Sequence, residues 1–379
     1  MLKVGINAHL LSGQDGYRRA GIHHYISQIL RHLPPDPDWR YTVFAQDGED
    51  LPHSPAHLDF RTTQWPTAQR LARIVWEQTA WPWHASREKL DLIHSMAFVL
   101  PRWQPCPGVV TIYDLSFVTH PDRFPRLQRA YLTAQTRHAC RHARRLVAIS
   151  ESSRQDLHHH FSVPLEKIDL VYPGVDDSFA PLPPEEMAQF RQRQGLRGRV
   201  ILHVGTLQPR KNIPMLLEAF AVLKQQAGFD DVSLVLVGGK GWFYDEIYAR
   251  VENLGLASQV CFTGYVPDND LTYWYNLAAV LVFPSVYEGF GLPVLEAMAC
   301  GVPVVAANTS SVPEVLGQAG LLFEPSDITA LVDHLIGVLQ DRDKMDRLIA
   351  AGREQARQFR WERSGQQMQE VYQRALQNH

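Results

Sequence analysis

Cysteine is scarce. Cys106, Cys140, Cys261 and Cys300 are the four in 379 residues, and no two form a CxxC pair. Disulfide frameworks and structural zinc sites need closer, patterned spacing, so neither is expected. Scattered free thiols suit a reducing compartment. Long hydrophobic runs are missing as well. No stretch approaches the ~20 apolar residues of a membrane span. The opening MLKVGINAHLL lacks the apolar length and small-residue cleavage site of a signal peptide. A cytoplasmic location is expected, with any membrane contact peripheral at the inner face. Neither sign of charge dominates: a formal net charge of −3 gives no footprint for nucleic acid. No short-period repeat is visible, which argues against a solenoid.

The composition is that of an ordinary globular protein, 45% hydrophobic and 20% charged, at a length that suggests about two domains. Short apolar runs alternate with helical patterns. KVGIN (3–7), YTVFA (41–45), LDLIHS (90–95), GVVTIYD (108–114), RLVAIS (145–150) and IDLVYPGV (168–175) read as strands. In the second half, RVILHVGTL (199–207), VSLVLVGG (232–239), VCFTGYV (260–266), AVLVFPS (279–285) and PVVAAN (303–308) do the same. Continuous apolar strands separated by helices predict parallel sheets covered on both faces. The fold class is therefore α/β, two Rossmann-like domains flanking a cleft. Residues 1–176 form the first domain and 177–359 the second. The proline-marked stretch 176–198 reads as a linker. Ligands are expected beyond the carboxyl ends of the strands.

Two segments there carry chemistry. In FPSVYEGFGLPVLEAMACGVPVV (283–305), a strand runs through a glycine-containing turn into a helix, with Glu288 in the turn and Glu296 eight positions on. A continuous helix would set these carboxylates about 80° apart; with Glu288 in the loop, both can face the strand ends. Free N–H groups at the helix start suit phosphate. Carboxylates can accept hydrogen bonds from sugar hydroxyls. Two incidental glutamates on a buried strand–turn–helix would look the same. In HVGTLQPRKNIPMLLEAF (203–220), Arg210 and Lys211 follow a glycine turn. They read either as a diphosphate site or as a solvated basic pair.

Together the segments resemble the retaining glycosyltransferases of family 4, which have the GT-B fold. The hallmark is the pair of glutamates set in EGFGLPVLEAMACGVPVV. The resemblance continues through LVLVGGKGWFYDEI (234–247), FTGYVPDNDLTYWYNLAAV (262–280), VPEVLGQAGLLFEPSD (312–327), WEQTAWP (76–82), TIYDLSF (111–117), AISESSRQDL (148–157) and VYPGVD (171–176). It implies a nucleotide-sugar donor site in the second domain. Glu296 would hold the ribose and Glu288 the donor sugar. Backbone groups of Phe290, Gly291 and Leu292 would contact sugar and phosphate. Arg210 and Lys211, beside Gly205 and Thr206, would neutralise the diphosphate. Gly239, Lys240, Tyr265 and Val266 would hold the base. In the first domain Gly21 would face the phosphates, and Tyr113 stands where many relatives have histidine. Asp114 reads as an acceptor-side base or as a loop cap.

The implied reaction moves a hexose, best matched by mannose from GDP-mannose, with a UDP-sugar as the alternative. The acceptor would be a glycan or lipid-linked acceptor in surface polysaccharide biosynthesis. GT-B enzymes generally use no metal, so no cofactor is expected. The run His158–His160 reads as a solvated helix face or a metal-binding tract. The arginine-rich segment 123–145 reads as an exposed helix or as a surface for anionic lipid. The closing segment 360–379 would pack back on the first domain and form part of a hinge. A nucleotide-sugar hydrolase or isomerase, or a non-catalytic binding subunit, would share the fold. A nicotinamide dehydrogenase is disfavoured because no GxGxxG opens the first domain.

Overall fold

The computed structural model describes residues 1–11, 21–46, 55–241 and 244–377. Trp242 and Phe243 of the LVLVGGKGWFYDEI segment, and the last two residues of the closing segment, lie outside these. The chain divides into two units, Met1–Gly174 with Arg360–His379, and Val175–Phe359.

Among the described residues the first unit has seven parallel strands: β1 (Leu2–Asn7), β2 (Trp39–Gln46), β3 (Leu58–Thr63), β4 (Leu92–Ser95), β5 (Gly108–Ile112), β6 (Arg145–Ala148) and β7 (Ile168–Leu170). Their order across the sheet is β3-β2-β1-β4-β5-β6-β7. The helix Ile22–His32 packs against the helix Trp361–Leu376. The later helix buries Trp361, Met368, Val371 and Tyr372 in this unit. A Cβ on Gly365 would lie 1.9 Å from the His32 carbonyl oxygen, so the two backbones approach where no larger residue fits. Tyr372 donates or accepts at His94 Nδ1 over 2.8 Å, tying the helix to β4.

The second unit has six parallel strands: β8 (Val200–Val204), β9 (Ser233–Val237), β10 (Val260–Gly264), β11 (Val280–Phe283), β12 (Val304–Ala307) and β13 (Leu321–Phe323), ordered β10-β9-β8-β11-β12-β13. Every residue of β8, β11 and β12 is buried, as expected for strands covered on both faces. The helix Ile213–Lys224 carries Pro214 in its first turn, where its missing N–H has no helical partner to lose. It lays Leu216, Leu217, Phe220 and Leu223 into the core. The stretch 176–198, read above as linker, contains the helix Pro184–Arg193. Its prolines stop nothing there, because Pro183 is the N-cap and Pro184 the first helical residue.

Candidate active site

In the second unit the chain builds outward from β8 through β9 to β10. It then returns to place β11 on the other side of β8 and continues to β13. Such a reversal opens a crevice beyond the carboxyl ends of the two central strands. The loops leaving β8, β11 and β12 meet there.

β8 ends at Gly205, with φ 153°. A Cβ at this glycine would lie 2.9 Å from Lys211 Cε, so its bareness makes room for the lysine side chain. A short 3-10 turn, Pro209–Lys211, then presents Arg210 and Lys211 together. Glu288, in the loop after β11, sits between them. Its Oε1 accepts a hydrogen bond from Lys211 Nζ at 2.7 Å, and its Oε2 pairs with Arg210 Nη1 at 2.6 Å. Lys211 and Glu288 are both buried. Burial alone would raise the Glu288 pKa, but the charges and hydrogen bonds of Arg210 and Lys211 outweigh it and hold the carboxyl at about 2. Burial lowers the Lys211 pKa despite the attraction of Glu288. The lysine ammonium also lies 4.8 Å from the centre of the Phe283 ring. Two cations thus flank one carboxylate at the strand ends, and Glu296 is near enough to act on Lys211 as well.

The Glu288 loop is held from two sides. From the β8 side, Arg210 donates from its guanidinium to the Tyr287 carbonyl, and its own carbonyl accepts from Val286 N at 3.0 Å. From the β12 side come three consecutive hydroxyls. Thr309 Oγ1 donates to the Ser285 carbonyl at 2.9 Å. Ser310 Oγ accepts from Glu288 N at 2.8 Å. Ser311 Oγ shares its proton between the Glu288 carbonyl at 3.0 Å and the Phe290 carbonyl at 2.8 Å. Ser310 has φ 45°, an uncommon backbone for a residue with a side chain.

The helix Leu292–Ala299 follows, capped by Gly291 at φ 109° with Pro293 in its first turn and no side-chain cap. Glu296, one turn in and buried, accepts a 2.6 Å hydrogen bond from the hydroxyl of buried Tyr275. Phe290 packs edge-on against Phe359. Three buried polar atoms near this crevice find no hydrogen-bond partner among the described residues: His203 Nε2, Gln208 Oε1 and Ser285 Oγ. Native structures rarely leave such atoms unmet.

Glu288, Arg210, Lys211, Gly205 and Thr206 are thus gathered at one end of the sheet, with Glu296 on the adjoining helix. Gly239, Lys240, Tyr265 and Val266 follow the neighbouring strands β9 and β10. A Cβ on Gly239 would lie 3.9 Å from Tyr265 Cβ, and Lys240 Nζ lies 4.7 Å and 5.4 Å from the ring centres of Tyr244 and Tyr248. In the other unit, Gly21 caps the helix Ile22–His32 at φ 66°, with nothing within 4 Å of an added Cβ. Tyr113 is buried, and its hydroxyl donates to the Met96 carbonyl at 2.8 Å. Asp114 Oδ1 accepts from the backbone N and the hydroxyl of Ser116, a loop cap. The sequence reading named neither Tyr275 nor Thr309–Ser311. Serines and threonines in a loop carry no spacing signal of their own.

Two sheets of parallel strands, one with paired cations and carboxylates at its reversal point, define the GT-B class of glycosyltransferases. The family profile "Glycosyltransferase Family 4" matches residues 19–179, and "Glycosyl transferases group 1" matches residues 186–355. The chain is 36% identical over 280 residues to the O-antigen chain mannosyltransferase B of Escherichia coli, covering 73% of each chain. It is 28% identical to the serotype-specific mannosyltransferase WbdA of Escherichia coli over 72% of its own length, and spans 34% of that longer protein. In fold it is similar to Anabaena Alr3699/HepE, solved in complex with UDP and glucose. That match has a TM-score of 0.75 at 21% identity, covering 98% of this chain and 100% of that one. The chain belongs to the family 4, group 1 glycosyltransferases.

Proposed function

We propose that this enzyme is a retaining mannosyltransferase that uses GDP-mannose and extends a glycan or lipid-linked acceptor in surface polysaccharide biosynthesis. The observation that carries the reading is the Glu288–Arg210–Lys211 triad at the strand reversal, in which Glu288 and Lys211 are buried. On arrival of donor, its diphosphate takes over the hydrogen bonds of Arg210 and Lys211, aided by the amides at Gly205, Thr206 and the helix start at Leu292. Glu288 is then released to the sugar hydroxyls. Glu296 takes the ribose, and the Gly239–Lys240 and Tyr265–Val266 loops take the base. Mannose is supported by the Escherichia coli relatives named for mannosyl transfer. The UDP and glucose in HepE make a UDP-sugar the competing donor.

On this reading the bond from the anomeric carbon to the diphosphate breaks while a bond to the acceptor oxygen forms on the same face. The acceptor proton passes to the departing phosphate oxygen. Catalysis rests on positioning and on diphosphate charge stabilisation. Arg210 and Lys211 carry that charge, so activity is expected to survive chelation of divalent ions. The N-terminal unit supplies the acceptor side, where Asp114, Tyr113 and Gly21 lie. We place the enzyme in the cytoplasm, peripheral at the inner face of the membrane through the basic helix Arg126–His142. Among the described residues no helix is long and apolar enough to cross a membrane.

Thermal unfolding with GDP-mannose, UDP-glucose and UDP-N-acetylglucosamine tests the donor, because a ligand that binds only the folded state raises the melting temperature with concentration. GDP-mannose is expected to stabilise the wild type, and Glu296→Ala and Lys211→Ala to blunt the effect. Stabilisation by a UDP-sugar alone would overturn GDP-mannose. No response to any nucleotide sugar would overturn the donor site.

A further inference from the structure

In the loop after β12, Ser310 holds a backbone conformation that suits glycine better than serine. The Val312 backbone N donates to the Thr309 carbonyl at 3.1 Å, closing a four-residue turn with Ser310 and Ser311 at its centre. Ser310 has φ 45°, and Ser311 has φ −81° and ψ −11°. A positive φ followed by a residue near −80°, 0° is the pattern of a type II′ turn. Glycine leads at the first central position, because a residue with a Cβ is crowded there. Strain of this kind persists only where the surroundings hold it, and it gathers at functional sites.

What holds Ser310 is the backbone of Glu288. Its Oγ accepts from the Glu288 N at 2.8 Å, a bond that glycine could not make. The next hydroxyl, Ser311 Oγ, donates to the Glu288 carbonyl at 3.0 Å. Two consecutive serines therefore pin the peptide groups on either side of the Glu288 Cα. Each peptide group is a rigid plane, so pinning both fixes the two soft dihedrals between them. The direction of the Glu288 Cα–Cβ bond is then set by Ser310 and Ser311, whatever the carboxylate touches.

That backbone control matters unequally in two states of the site. Without donor, the Glu288 carboxylate is anchored at its far end by Lys211 and Arg210. Once a diphosphate has drawn both cations away, that anchor is gone and the pinned backbone alone aims the side chain. We propose that Ser310 is a positioning residue for the donor sugar: its hydroxyl fixes the Glu288 peptide so that the released carboxylate meets the sugar hydroxyls. The proposal rests on the donor reading above, in which Glu288 turns to the sugar. It separates Ser310 from the groups that take the rest of the donor. Losing the Ser310 hydroxyl should weaken recognition of the sugar and leave recognition of the nucleoside diphosphate in place.

Calorimetric titration of the full-length protein compares GDP-mannose with GDP, and UDP-glucose with UDP. Ser310→Gly frees the turn and deletes the acceptor. Its affinity for the nucleotide sugar that the wild type binds should fall about tenfold, while its affinity for the matching nucleoside diphosphate stays within about twofold. Ser310→Thr keeps the oxygen but places a β-branched residue at positive φ. It should melt about 2–4 °C below the wild type and keep the sugar affinity. Binding and stability then move apart, whereas a merely structural role makes affinity for both ligands follow the melting temperature. Equal losses for the nucleotide sugar and its diphosphate, or no loss for the nucleotide sugar in folded Ser310→Gly, overturn the proposal. If Ser310→Thr does not fold, the Ser310→Gly comparison decides by itself. Wild-type protein that binds neither nucleotide sugar overturns the donor reading, and the role of Ser310 with it; wild-type binding with an unaffected Ser310→Gly overturns Ser310 alone.

Discussion

Glu288→Gln is the most informative single change, because it removes the negative charge that Arg210 and Lys211 share while keeping the side-chain shape. The wild-type carboxyl is held at about 2 against an ordinary 4.5. At about 1.4 kcal/mol per pH unit, that difference corresponds to roughly 3 kcal/mol of folding stability. Removing one partner of a buried ion pair typically destabilises by about 3–5 kcal/mol, which agrees in size. Because the folded carboxyl pKa is depressed, the wild-type contribution is full above 4.5 and is lost as pH falls through about 2. The variant behaves differently on the alkaline side. Burial already lowers Lys211 from 10.5, and Glu288 is the first influence that opposes this. Without Glu288 the lysine pKa falls further. The unfolded chain then binds more protons than the folded one over a wider window below 10.5, so stability rises with pH more steeply than in the wild type. Calorimetry at pH 7 and pH 9 measures both effects. The transition of the C-terminal unit should drop by about 6–12 °C at pH 7, from ~2–4 °C per kcal/mol for a unit of this size, and recover in part at pH 9. A loss under about 1 kcal/mol, the range of an exposed pair, or a pH slope equal to that of the wild type, would refute the reasoning.

Ser311→Ala removes the hydroxyl shared by the Glu288 and Phe290 carbonyls. It should lower stability by about 1–3 kcal/mol and kcat about tenfold, equivalent to ~1.4 kcal/mol in the barrier; an unchanged kcat in a folded variant would discount the loop clamp. Tyr275→Phe deletes the 2.6 Å hydrogen bond to Glu296. Donor affinity measured by calorimetric titration should fall about tenfold, and an unaltered Kd would remove Tyr275 from the account of the site. Gly365→Ala drives a Cβ against the His32 carbonyl; denaturant melts should show a loss of about 1–3 kcal/mol, and wild-type stability would contradict the packing described for that helix.

The central strands were plain in the sequence because strands buried on both faces read as unbroken apolar runs. β3 and β13 were not. LDFRTT pairs along one side only and keeps polar residues, and LLF is three residues long. The helix Pro184–Arg193 hid behind prolines that serve as its start. In the candidate site, the types and order of Glu288, Glu296, Arg210 and Lys211 were legible as a motif. The ion triad was not, since 77 residues separate Lys211 from Glu288 and only the sheet order makes their loops neighbours. Ser310 and Ser311 belong to a third loop, and their link to Glu288 exists only once β11 and β12 pair. Tyr275 lies in the helix Asp268–Leu277, 21 positions before Glu296, and no spacing in the sequence links the two.

The first unit is discontinuous along the chain, closed by the helix Trp361–Leu376 after the whole second unit has intervened. On the ribosome this inverts the order of completion. At ~5–20 residues per second, the roughly 200 residues after Gly174 take about 10–40 s to emerge. The contiguous span Val175–Phe359 can finish folding during that wait. The unit translated first meanwhile lacks the partner of Ile22–His32 and the tyrosine that engages His94. A nascent chain stalled before Arg360 should therefore carry a finished second unit and an unfinished first one, with the apolar stripe destined for Met368 and Val371 open to a chaperone.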